Sequence, residues 1–125
     1  MSECSCSNGK ENKTKLIFAC SGAADVGKLA DASARRMAKS GFGKMYCLAA
    51  IGAEVESYIK AANASEENIV IDGCPVACGK KVFEKMSLPK THIILTEKGF
   101  EKGKTAVDDE NIMSAVNEIT KGCCC

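Results

Sequence analysis

The chain lacks tryptophan altogether, carries two prolines and one histidine, and has an aromatic content of only 5%. Its interior must therefore be filled by Val, Ile, Leu, Ala and Met. It lacks a charge bias as well: 17 basic and 16 acidic residues leave a net charge of +1. No basic footprint for nucleic acid or an anionic membrane follows from that balance. No stretch approaches the roughly 18 apolar residues that mark a membrane span. The opening segment, with Cys4 and Cys6 among polar residues, has no apolar core and does not read as a secretory signal. Neither GxGxxG nor GxxxxGK[ST] occurs, so the loop from Ser21 to Gly27 reads as a tight turn, not a nucleotide site.

What is abundant is cysteine: nine in 125 residues, far above ordinary usage. An odd count, with an opening segment that does not read as a leader, sets the expectation of reduced thiols in the cytoplasm, serving metal or redox chemistry rather than disulfides.

The pattern along the chain is an alternation of short apolar runs and helical periodicities. Residues 1–13 and 122–125 read as flexible tails carrying Cys4, Cys6 and Cys123–Cys125, and residues 14–121 as a single domain. Strands are expected at 16–20, 44–48, 68–72 and 91–95. Helices are expected at 24–40, 53–62, 75–86 and 108–120, with a charged loop or hairpin at 97–105. Buried strands joined by helices imply an α/β fold of three layers: a four-stranded, mainly parallel sheet with helices on both faces.

In that alternation Cys20, Cys47, Cys74 and Cys78 all fall at or near the carboxyl ends of strands, the edge at which open parallel sheets bind ligands. Neighbouring strands lie about 4.8 Å apart. Thiolates around one zinc ion approach one another to about 3.8 Å, given Zn–S bonds near 2.3 Å. Convergence is easiest if the first strand lies between the second and third, which predicts the flavodoxin-like order 2-1-3-4. Cys74 and Cys78 are spaced i, i+4, so a helix starting at Pro75 would put both on one side of its first turn. Asp72 either orients the Cys74 loop or caps the following helix, and Asp25 reads as an exposed acid at a helix start. His92 is expected at the far end of the sheet from the cysteines. Met37, Met86 and Met113 read as core.

The segments Phe18-Ala-Cys20-Ser-Gly22, Tyr46-Cys47-Leu-Ala-Ala-Ile-Gly52 and Asp72-Gly-Cys74 resemble the DGC-domain family, named for the last tripeptide. The likeness covers about residues 15–120. It implies a metal-ligand set of Cys20, Cys47, Cys74 and Cys78, with zinc as the ion, and it implies no reaction. Thiolates also suit an iron–sulfur cluster, although this scattered spacing matches no ferredoxin run. A closed four-cysteine zinc site activates no water, so a carrier or sensor fits better than a hydrolase. The alternative from a different class is a thiol redox or sulfur-transfer enzyme using Cys74 and Cys78.

Overall fold

The computed structural model describes residues 14–121; the two segments read as cysteine-bearing tails, 1–13 and 122–125, lie outside the described residues. The first strand, β1 (Lys15–Ala19), is buried at all five positions, as expected of a strand covered on both faces. Its one charged residue, Lys15, reaches Glu66 and Glu67 at 3.4 Å each, which offsets the cost of burying an ammonium. Next come α1 (Asp25–Lys39), β2 (Lys44–Met45), α2 (Leu48–Gly52) and α3 (Glu56–Ala64). They are followed by β3 (Glu67–Asp72), α4 (Cys78–Lys85), β4 (Thr91–Ile94), a 3-10 turn over Leu95–Lys98, and α5 (Asp109–Lys121).

The sheet order is β2-β1-β3-β4 and every pairing is parallel. The predicted order is thus the observed one. Side-chain alternation along β1 and β3 divides the interior in two. On one face Ile17, Ala19, Ile69 and Ile71 pack under Val26, Leu29, Ala30, Ala34 and Met37 of α1 and under Ala115 and Ile119 of α5. On the other face Leu16, Phe18 and Val70 pack against Ile51 of α2, Ala62 of α3 and Phe83 of α4. The α1 stripe recurs at helical spacing, and each fully buried Val, Leu or Met on it contributes about 1.5–3 kcal/mol. Two edge-on aromatic contacts, Phe18–Phe83 and Phe18–Tyr46, and a tilted one, Tyr46–Tyr58, concentrate the scarce rings on the second face. Among the described residues no helix is long and apolar enough to cross a membrane.

Several boundaries differ from those expected. The second strand is two residues long, so Cys47 lies beyond it as the residue preceding α2, a helix that falls outside the one expected at 53–62. The fourth helix begins at Cys78, not Pro75, because Ala77 takes a left-handed conformation (φ 54°) after a turn in which its N–H donates to the Cys74 carbonyl. Cys74 therefore precedes the helix that Cys78 opens, and the two do not share a helical face. Met113 is 46% exposed, its sulfur accepting from Arg36, and is not core.

Candidate metal centre

The edge formed by the carboxyl ends of the strands is assembled from four loops. Cys20 extends the β1–β3 ladder by one residue, its N–H donating to the Ile71 carbonyl at 3.1 Å. That fixes its backbone beside Gly73, whose N–H donates to Cys20 Sγ at 3.3 Å. The next residues, Ser21 (φ 57°) and Gly22 (φ 85°), both turn left-handed and lead the chain into α1. A non-glycine residue in that region stores strain of order 1–3 kcal/mol. Ser21, directly after Cys20, and Ala77, directly before Cys78, both sit there.

Cys20, Cys74 and Cys78 line one cavity of about 490 Å³, together with Ser21 to Ala24, Val26, Gly27, Gly73, Val76 and Lys102. It occupies the crevice between β1 and β3, where the connections leave to opposite faces of the sheet; in open α/β folds this switch point is the ligand site. Cys47 is exposed and lines the adjoining cleft of about 720 Å³, together with Cys20, Tyr46, Tyr58 and the Asp31–Arg35 ion pair. Cys20 is therefore the one thiol common to both spaces. Among the described residues no three Cys, His, Asp or Glu side chains already stand in ligating geometry. The donor set nonetheless suits a soft ion. Three thiols face one cavity, an amide donates to one of them, and an ammonium lies 3.6 Å from another, Lys102 Nζ to Cys74 Sγ.

Burial pushes the Cys20 thiol up to about 11, and the charges of Asp72, Cys78 and Cys74 add to the rise; the Gly73 N–H opposes it. A metal taking this sulfur must therefore displace a proton.

Two carboxylates organise the loops. Asp72, 1% exposed, accepts from the N–H groups of Gly79 (2.8 Å) and Lys80 (3.0 Å) and lies 2.6 Å from His92 Nε2. It caps α4 from the end of β3, the second of the two roles expected of it. His92 sits opposite Val70, and its side chain on the shared face reaches forward to Asp72. It is thus not remote from the cysteine edge, as expected from its place in the strand, but one residue removed from it. The polar residue in an apolar strand was the available signal. Asp25 accepts from the N–H groups of Gly103 and Thr105 at 2.9 Å each, as well as from Val26. It is not a free surface acid but the anchor of the loop that carries Lys102.

Those amide donors hold the Asp25 carboxyl below its ordinary value of 3.8. A depressed carboxylate contributes stability above its unfolded value and loses it as the pH falls through the folded one. The Gly103 and Thr105 attachments should therefore persist through neutral and mildly acid solution and release only under stronger acid. A proton–nitrogen titration from about pH 6 to about pH 2 should show those two amides moving together, below the midpoint of an ordinary aspartate.

A profile of the DGC domain matches residues 16–119. The chain is 32% identical over 88 residues to the anaerobic and virulence modulator AnvM of Pseudomonas aeruginosa, a match covering 70% of this chain and 67% of that protein. No solved structure matches significantly. The Asp-Gly-Cys tripeptide that caps α4, closes against α1 and presents a thiol to the crevice is thus the signature of a family, and the chain belongs to the DGC domain family.

Proposed function

We propose that this chain holds one zinc ion on the thiolates of Cys20, Cys47, Cys74 and Cys78 and acts as a metal carrier or sensor. The observation that carries the reading is that Cys20, after β1, and Cys74 and Cys78, after β3, line one cavity at the switch point of the sheet. Cys47 lines the cleft that adjoins this cavity through Cys20, exposed and directly before a five-residue helix, and that segment would have to move to complete the set. When bound, zinc would cross-link the β1, β2 and β3 loops and, with four thiolates, leave no position for substrate water. Cys20 anchors the set because its backbone is hydrogen-bonded into the sheet. Cys47 and Cys78 are both exposed and open to approach from solvent. This arrangement suits exchange better than permanent storage. The name of the relative, a modulator, accords with a sensor more than with a catalyst.

The test is elemental analysis with a visible spectrum on anaerobically purified protein. One zinc per chain and no colour is the expected result. Cys20→Ser, Cys74→Ser and Cys78→Ser should each abolish stoichiometric zinc, and Cys47→Ser should weaken it. Chelation should remove the metal while the fold persists, since each face of the sheet has its own packed core. Iron with sulfide and broad visible absorption would assign a cluster instead. No metal, with a reversible Cys74–Cys78 disulfide, would overturn the reading in favour of thiol redox chemistry.

A further inference from the structure

The segment after β4 is joined to the thiol edge in an unexpected way. It is charged and exposed, and by composition nothing distinguishes it from a solvated loop. Yet it is pinned. Both oxygens of Asp25, at the start of α1, accept from its backbone, at Gly103 and Thr105. The loop also closes on itself: Thr105 Oγ1 donates to the Glu101 carbonyl at 2.7 Å, and the Lys104 N–H donates to the same carbonyl at 3.0 Å. Between these fastenings stands Lys102, whose ammonium donates to Cys74 Sγ at 3.6 Å and lines the cavity shared by the three thiols. Lysine carries four rotatable methylenes, and holding its end at one sulfur costs side-chain entropy. A loop fastened on either side of it lowers that cost.

We infer that Lys102 is a positioning residue of the thiol edge, held over Cys74 by the Asp25 latch, and that it sets how readily the centre gives up its metal. The metal arm of this inference rests on the proposed zinc reading; the latch and the contact do not. The physical reason is charge. Four thiolates around a divalent ion leave a net negative centre, and an ammonium beside one sulfur offsets part of that excess. Withdrawing it should favour loss of the ion.

Two measurements test this, and they fail separately. In the first, zinc-loaded wild type, Lys102→Gln, Lys102→Arg, Asp25→Ala and the Lys102→Gln/Asp25→Ala double variant deliver zinc to a coloured chelator. Lys102→Gln should release roughly three- to tenfold faster, the range of an exposed to partly desolvated charge-assisted hydrogen bond. Lys102→Arg should stay near wild type. Asp25→Ala should move towards Lys102→Gln, and the double variant should be no faster than Lys102→Gln alone, since both act through one contact. Added salt should narrow the difference between wild type and Lys102→Gln.

In the second, the metal-free proteins are alkylated at Cys74 with iodoacetate and with iodoacetamide, and the ratio of the two rates is read by peptide mass. An ammonium beside the sulfur favours the anionic reagent, so the ratio should fall severalfold in Lys102→Gln and in Asp25→Ala but not in Lys102→Arg. Circular dichroism guards against unfolding, which is not expected because Lys102 is exposed. An unchanged ratio, or additive effects of the two substitutions on release, overturns the inference and leaves the zinc reading intact. A wild-type chain that takes up no zinc overturns that reading, and the alkylation ratio then decides the inference alone.

Discussion

Asp72→Ala is expected to destabilise the fold by about 3–5 kcal/mol, as removal of one partner from a buried, hydrogen-bonded charge network does. The carboxylate is 1% exposed and serves three partners at once: the Gly79 and Lys80 N–H groups and His92 Nε2. Alanine leaves all three without an acceptor. Each buried donor abandoned in this way costs about 1–3 kcal/mol, and the first turn of α4 has no other side-chain cap to replace it. Asp72→Asn keeps the volume and one acceptor oxygen but turns an amide towards donors. It should cost less, about 1–2 kcal/mol. The check is urea unfolding of the metal-free proteins, in which the midpoint should fall and the slope stay constant. On the proposed zinc reading, loosening the cap should also weaken retention of the ion, because Cys78 opens α4. Unfolding midpoints within error of wild type would mean that α4 is held by Phe83 and its neighbours without the aspartate.

Much of this architecture was legible in the sequence because the signals were local. The apolar runs around Phe18 and Val70, and the Val26–Met37 periodicity, are set by a core that covers each element on the expected face. The strand order came from a different kind of argument, the need for thiols on separate strands to approach one another, and β1 does lie between β2 and β3. What escaped was set by contacts between distant residues. The second strand stops at Met45, and the chain turns into the short α2 whose Ile51 is taken up by the second core. The helix expected from Pro75 waits until Cys78 because Ala77 adopts a left-handed turn, a choice no propensity of alanine favours. Lys102 lies 28 residues from Cys74, and Asp25 lies 78 residues from Gly103. Neither contact leaves a periodicity or a motif. For the site itself, placement at strand ends raised the expectation that Cys20, Cys47, Cys74 and Cys78 meet at one edge. That three of them share one cavity while Cys47 occupies the neighbouring cleft depends on loop lengths, which a strand-end argument does not resolve.

Gly73→Ala should cost about 3 kcal/mol, the upper part of the usual range for forcing extra volume into a packed interior. The central residue of the Asp-Gly-Cys signature is constrained by what lies against it. A methyl group there would stand 2.5 Å from the Val26 carbonyl carbon, 2.6 Å from its oxygen and 2.7 Å from the Gly27 nitrogen. All three are backbone atoms of the first turn of α1, so no side chain can swing aside; the helix itself must back away. Its withdrawal would strain the Gly73 N–H bond to Cys20 Sγ and open the crevice that three thiols share. Gly27→Ala should be at least as severe, because its new methyl would collide with the Ser21 carbonyl oxygen. Gly52→Ala is the control. Its methyl would meet nothing nearer than Val82 Cγ2 at 3.8 Å, and replacing a helical glycine should leave stability unchanged or raise it by up to about 1 kcal/mol. Denaturant midpoints ranked Gly52→Ala, wild type, Gly73→Ala, Gly27→Ala from highest to lowest would tie the signature glycine to the seating of α1 against β3. A Gly73→Ala chain as stable as wild type would show that α1 can shift without cost, and the close approach would then not explain why glycine stands between the aspartate and the cysteine.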